Sequence, residues 1–429
     1  MIKVIASNFS VRLFSAIANL LIAIIISQVL GASGKGEQSI ILACITIILL
    51  ATNLVGGASI VYLTSRIGIK NILITAYLWT ALVVILCYLF LTTIPAISLK
   101  YNLAITLLSG INSLASINSS VLIGKEKIQK SNLINLCIPL LTLVSIGILF
   151  YFQSSLSIIS YIISLFVSYI AAFLMGSFFL FSERLDEEKY RFQDFKATLK
   201  ALLFFGFQNQ LAHIFQLVSF RLSYFLLDTH SGQKAVGIYS NGLSISESIW
   251  MISSSISLYQ YARISNSDNS EYAKRLTEQC AKSGLLLTLF ALIIVLALPA
   301  TFFTWLFGPE FREIKLLILI MAPGIWIFNY ALIIGHYFSG IGKYFVNAIA
   351  SFGGFLVTLI LLLFCSEKLN IYYAGLVAVS SYFVTSFIVI IFYWKEGGKF
   401  VVFPSFAEVK KLMNSLPQSK ENQLLDEQT

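Results

Sequence analysis

FSVRLFSAIANLLIAIIISQVL, residues 9–30, carries one charge in 22 positions. A helix needs about 20 mostly apolar residues to cross the hydrocarbon of a bilayer. Eleven further runs of similar character follow, at roughly 38–62, 72–94, 102–123, 132–152, 157–181, 200–226, 236–259, 284–306, 314–338, 345–364 and 371–393. They lack the strict alternation of barrel strands. Backbone polar groups in lipid must be bonded within the segment, so the runs read as helices. The fold class expected is therefore all-α integral membrane protein with twelve transmembrane helices.

Composition agrees. Hydrophobic residues make up 58% of the 429-residue chain and charged residues 11%, against roughly 25% charged in soluble domains. Of 29 Lys and Arg, 22 fall on the side of the N-terminus if the runs alternate, six fall on the other side, and Arg221 lies within a run. The positive-inside rule then places both termini in the cytoplasm. That topology accounts for the net charge of +9 without nucleic acid. The first apolar run carries Arg12 and no small-residue cleavage site, so it does not read as a removable signal. The segment Ser265–Lys282 reads as a short surface helix, and Gln418–Thr429 as a disordered tail.

The polar stretch Ser182–Ala197 splits the chain into halves of six runs. At an offset of 201 residues Asn8 meets Asn209, Phe14 meets Phe215, Gly31 meets Gly232, Gly36 meets Gly237 and Ser39 meets Ser240. Gly124-Lys125 and Gly342-Lys343 recur after the fourth run of each half, and Ser168-Tyr169 and Ser381-Tyr382 recur in the sixth. Six is even, so the halves are parallel repeats about an axis along the membrane normal. The expected domains are an N-terminal lobe (1–181), a cytoplasmic linker (182–198), a C-terminal lobe (199–394) and a cytoplasmic tail (395–429).

Polar groups are costly in hydrocarbon and mark function when they line up. Asn8, Arg12, Ser15 and Asn19 share one face of the first helix. Asn209, His213 and Gln216 repeat that spacing in the seventh. Ser109, Asn112, Ser113, Ser116, Ser119 and Ser120 stripe the fourth; Ser240, Ser244 and Glu247 share a face of the eighth; Asn329 and His336 lie in the tenth. Serines and asparagines at such places also serve as packing contacts between helices, and Arg12 and Arg221 can snorkel. The substrate-cavity set is Asn8, Arg12, Ser15, Asn19, Asn209, His213, Gln216 and Arg221. Glu247, with His213 as its expected partner, is the ion-coupling pair. Such a cavity is cationic and hydroxyl-rich, suited to phosphate and sugar.

Several classes drop out. The five cysteines (Cys44, Cys87, Cys137, Cys280, Cys365) form no close pair, and the three histidines have no ligand spacing, so no metal or other cofactor is expected. Gly31-Ala32-Ser33-Gly34-Lys35-Gly36 fits neither phosphate-binding glycine pattern. No nucleophile–base pair is evident.

In order and spacing over almost the whole chain, the residues resemble a family. The elements are Asn8, Val29-Leu30-Gly31-Ala32-Ser33-Gly34-Lys35-Gly36, Asn53-Leu54-Val55-Gly56-Gly57-Ala58, Phe220-Arg221-Leu222-Ser223-Tyr224, Ala235-Val236-Gly237-Ile238-Tyr239-Ser240, Glu247, Leu306-Phe307-Gly308-Pro309-Glu310-Phe311 and Gly340-Ile341-Gly342-Lys343. The chain resembles bacterial polysaccharide flippases of the Wzx type, in the MOP superfamily that includes the MATE extruders. It departs from the family at Ser223, often acidic there, and near Tyr261, where a proline is usual. The resemblance implies two pseudo-symmetric six-helix lobes around a central cavity that opens alternately to either side. It also implies a bacterial inner-membrane location and a polyprenyl-diphosphate-linked oligosaccharide as cargo, for O-antigen, capsule or exopolysaccharide synthesis. Polymerase and chain-length proteins of that pathway are candidate partners, with the bilayer itself.

Three other readings stand beside it. A drug antiporter of the same superfamily shares the fold, but its cavity more often presents acidic and aromatic groups. Flippases for the peptidoglycan precursor tend to have two more helices. A polysaccharide polymerase, the enzyme alternative, tends to carry a large outer loop, and every outer connection here is short.

Overall fold

Two glycines turn the chain back on itself at matching places. Gly31 has φ 67° and ψ −171°, and Gly232 has φ 78° and ψ 170°. That region is open in practice to glycine alone. Each turn joins two crossings with no loop between them, so α1 runs over Ile2–Thr52 and α7 over Phe192–Ile264. The sequence reading placed a connection at 31–37; the helix instead resumes at once after the turn. The computed structural model describes residues 2–93, 100–153, 157–182, 192–267, 269–364 and 368–399, without the side chains of residues 2–10, 12, 208 and 209.

After α1 the chain takes one 3-10 turn at Asn53–Val55 and ends its second crossing in α2 (Gly57–Leu63). Then come α3 (Ile69–Thr93), α4 (Asn102–Gly124), α5 (Ile128–Gln153) and α6 (Ile158–Ser182). Beyond α7 lie α8 (Ser270–Ala297), α9 (Ala300–Phe307), α10 (Ile314–Gly340), α11 (Tyr344–Phe364) and α12 (Ile371–Lys395). Nine helical segments among the described residues are long and apolar enough to cross a membrane. One of them, 13–63, crosses twice, and the two arms of α7 add two crossings, which makes twelve. The fold is all-helical with two six-helix lobes, α1–α6 and α7–α12.

Three boundaries differ from the sequence reading. The expected linker 182–198 is helical from Phe192 onward, because α7 starts about two turns before the membrane run. The expected surface helix at Ser265–Lys282 is the first part of α8, which Asn269 caps by accepting a bond from the Tyr272 N–H. The ninth run breaks at Leu298-Pro299, since proline removes a backbone donor, and Lys315 donates to the freed carbonyls of Leu296 and Leu298. The expected tail lies outside the described residues from 400 onward.

The ends of the bundle are packed differently. At the end bearing Lys125 and Lys343 there are two buried clusters: Val55, Ile72, Val121 and Ala172 of the first lobe joined by Leu202 of α7, and Leu285, Ile333, Phe338 and Tyr393 within the second lobe. At the Gly31 end one cluster is shared, with Ile26, Ala32 and Ile40 against Val236, Phe307 and Leu317. The lobes also meet at the Lys125 end, where Gly206 lies against the Leu54 carbonyl and Tyr62 stacks on Phe205 at 4.6 Å. Large apolar side chains such as Ile85, Phe178, Phe290 and Phe387 cover the outside, as a lipid-facing surface requires.

Most of the polar stripes join helices. Ser113 bonds Thr52 at 2.8 Å and Ser119 bonds Ser131 at 2.6 Å. Asn329 is fully buried, and its Oδ1 accepts from both Ser253 and Thr288. Asn329→Ala is expected to lower stability by about 1 kcal/mol, read as a lower unfolding midpoint in detergent with transport retained.

Candidate functional site at the lobe interface

The 201-residue repeat fixes where the lobes meet. Residue i touches residue i+201 only where the pseudo-twofold axis passes, and Ser39 donates to Ser240 at 2.8 Å. The backbones of Gly36 and Gly237 approach so closely that a methyl on Gly36 would overlap the Gln233 carbonyl. A methyl on Gly237 would overlap the Ala32 carbonyl. Ala32 and Gln233 are themselves 201 apart, so the contact is reciprocal, as in an isologous interface. Around it, Asn241 donates to Ser27 at 2.9 Å and Gln28 donates to the Leu306 carbonyl at 2.9 Å.

Beside this axis lies a charged cluster. Arg221 Nη2 donates to Glu247 Oε1 at 3.0 Å and Nη1 donates to the Tyr224 hydroxyl at 2.7 Å. Lys35, 5% exposed, lies within electrostatic range of both charges and donates to Gln38 Oε1 at 2.6 Å. The Tyr382 hydroxyl is buried with no hydrogen-bond partner. Phe220, Trp250, Phe328 and Tyr382 form a tight aromatic wall next to it, with ring centroids 4.7–5.9 Å apart. The cluster brings two basic side chains and one carboxylate together. Arg221 and Glu247 keep 21% and 38% of their side chains exposed, so the pair borders open space rather than lying sealed in protein.

A second space lies within the second lobe. A cavity of about 340 Å³ is lined by His213 and Gln216 of α7, His336 and Ser339 of α10, Asn347 of α11 and Thr385 of α12. Phe328, Leu332 and Val389 complete a lining of mixed polarity that carries no acid. Among the described residues no three His, Cys, Asp or Glu side chains gather at metal-binding distance.

The expected residues therefore separate. Arg221 and Glu247 come together, and His213 and Gln216 line the cavity in the second lobe. Glu247 is paired with Arg221, not with His213 as the sequence reading expected, because the turn at Gly232 brings the two arms of α7 side by side at those positions. Ser15 is half-buried and Asn19 exposed, flanking the buried Ala18 and Ile22. The side chains of Asn8, Arg12 and Asn209 lie outside the described residues. Lys35 was missed: the reading set it in an outer connection. Its position between two repeat-matched glycines, Gly31 and Gly36, was the available signal.

Searches for protein-family models and for curated proteins found no match to this chain. Solved structures do match. An inward-facing multidrug resistance MATE family transporter of the MOP superfamily superposes with TM-score 0.70 at 15% identity, covering 91% of this chain and 98% of that one. Lipid II flippase MurJ in an inward closed conformation gives 0.71 at 16% identity, covering 91% and 87%. An outward-facing MATE transporter of the same superfamily gives 0.59 at 14%, covering 91% and 93%. The chain thus shares its fold with these solved structures.

Proposed function

We propose that this chain is a flippase that carries polyprenyl-diphosphate-linked oligosaccharides from the cytoplasmic to the outer leaflet of a bacterial inner membrane. The observation that carries the reading is the cluster of buried Lys35 and half-buried Arg221 with the carboxylate of Glu247, bordering open space beside the axis of two matched lobes. Two cations with one acid favour an anionic cargo, and a diphosphate suits a guanidinium and an ammonium held close together. A cavity for cationic drugs would need the opposite excess. The amides, hydroxyls and imidazoles around His213 and Gln216 suit sugar hydroxyls.

In this reading the lobes are 1–181 and 199–394, the Gly31 end faces outward, and both termini are cytoplasmic. The arginine and lysine asymmetry of the connections supports that orientation. The lobes meet through more cross-links at the Gly31 end, and the inward conformations score higher than the outward one, which supports an outer gate that is shut. Asn8, Arg12, Ser15, Asn19 and Asn209 extend the cargo path along the first and seventh crossings. Glu247 is the group on which a coupling proton or cation acts, by competing with Arg221. Polymerase and chain-length proteins of the same pathway are the proposed partners.

Deletion of the gene is expected to leave lipid-linked oligosaccharide on the inner leaflet and to remove the surface polysaccharide. Normal polysaccharide together with lost drug resistance would instead indicate an antiporter of the same fold.

A further inference from the structure

The segment Phe307-Gly308-Pro309-Glu310-Phe311 joins α9 to α10 at the Gly31 end. Phe307 and Phe311 are buried anchors with rings 5.9 Å apart, and Gly308 turns the chain at φ 114°. Both anchors belong to the second lobe. From it Glu310 reaches across to the first lobe. Its Oε2 accepts from the Ala32 N–H at 2.7 Å, and its Oε1 accepts from Lys234 at 2.9 Å. Ala32 is the first residue after the Gly31 turn, where the second arm of α1 begins and its amides have no helical partner. A carboxylate there is favoured by both the free N–H and the helix dipole.

The arrangement is asymmetric although the lobes are matched. A methyl on Gly31 would lie 2.8 Å from Glu310 Oε2, whereas Gly232 has nothing within 4 Å. One of the two equivalent turns is capped from the opposite lobe; among the described residues, nothing lies within 4 Å of the position a methyl on the other would take. A cap within a lobe would serve folding alone. A cap between lobes is made only while that end is closed.

We propose that Glu310 is the latch of the outer gate: its carboxylate, oriented by Lys234, holds the second lobe to the start of the second α1 arm and is released when the lobes part. The latch goes beyond the cargo assignment and is independent of it. It sets the balance between closed and open states whatever is carried.

The test places spin labels at Leu103→Cys and Thr301→Cys, both exposed and on opposite lobes at this end. The native cysteines are replaced, and the full chain is reconstituted in nanodiscs without substrate. Loss of a charge-assisted hydrogen bond shifts such a balance by about tenfold or more. Glu310→Ala is expected to produce that rise in the long-distance population. Glu310→Gln, which keeps an acceptor but no charge, is expected to give a smaller rise and guards against a variant that fails to fold. Glu313→Ala is the control, since Glu313 accepts from Tyr372 within its own lobe at 3.1 Å. Unchanged distances in folded Glu310→Ala would overturn the latch, as would an equal shift in Glu313→Ala. Because no substrate is present, either result leaves the flippase assignment to its own test.

Discussion

Gly36→Ala and Gly237→Ala are each expected to stop the lobes closing at the Gly31 end. A methyl group needs about 3.5 Å to its neighbours, and at both positions the neighbour is a main-chain carbonyl on the opposite lobe. A side chain could rotate away; the Gln233 and Ala32 carbonyls belong to helices and cannot. Overpacking a tight contact costs roughly 1–3 kcal/mol. The upper part of that range applies here, because the whole lobe must shift to relieve one methyl. The closed state then falls by about a hundredfold, and the spin-label pair at Leu103 and Thr301 reads the long distance. Reciprocity sharpens the expectation: the two substitutions sit at equivalent places about the axis and should have equal effects. Gly147→Ala is the control, since nothing lies within 4 Å of that position, and a helix-interior alanine there is expected to be neutral or mildly stabilising. Closure that survives both Gly36→Ala and Gly237→Ala would mean that the axis contact is not what shuts the gate.

The same contact shows what the sequence could and could not reveal. Twelve crossings were legible because the thickness of hydrocarbon dictates the length of each run, and α7 kept its two crossings despite its polar residues. The offset of 201 was legible because duplicated lobes share their glycine turns. The axis itself follows from that offset: Ser39 and Ser240 align in sequence and bond in space. The fate of individual polar groups was less accessible. Asn329, Ser113 and Ser119 bond neighbouring helices, while Arg221 and Glu247 border open space, and nothing in spacing alone separates the two cases. Lys35 was hidden by a boundary. Once the stretch after Gly31 is read as a loop, its lysine counts as a solvated outer charge. A glycine in the left-handed region lets the helix resume immediately, which carries Lys35 into the interface. The partner of Glu247 was misassigned for a related reason. His213 and Arg221 both lie on the first arm of α7, and only the sharpness of the Gly232 turn decides which of them faces Glu247.

Arg221→Gln is expected to reduce translocation by tenfold or more, and the double substitution Arg221→Gln with Glu247→Gln decides why. If Arg221 serves only as the partner of Glu247, the single change leaves a carboxylate without its cation in a site of low polarity, and removing the carboxylate as well should restore function. Breaking one side of such a pair is commonly worse than deleting both, though the partial exposure of this pair moderates the cost. If Arg221 holds the diphosphate, the double variant stays inactive even as its stability recovers. The cargo reading requires the second pattern. Glu247→Gln alone then leaves Arg221 and Lys35 with no acid between them, so the head group is held more tightly and released more slowly. Binding should rise while turnover falls. Lys35→Gln should weaken binding of the same head group, because it removes the second cation without touching the Arg221 pair. The measurements are flipping of a lipid-linked oligosaccharide in proteoliposomes and binding of the same lipid in detergent, with unfolding midpoints as the check on structure. Recovery of flipping in the double variant would assign Arg221 to structure and leave the anion without its principal ligand.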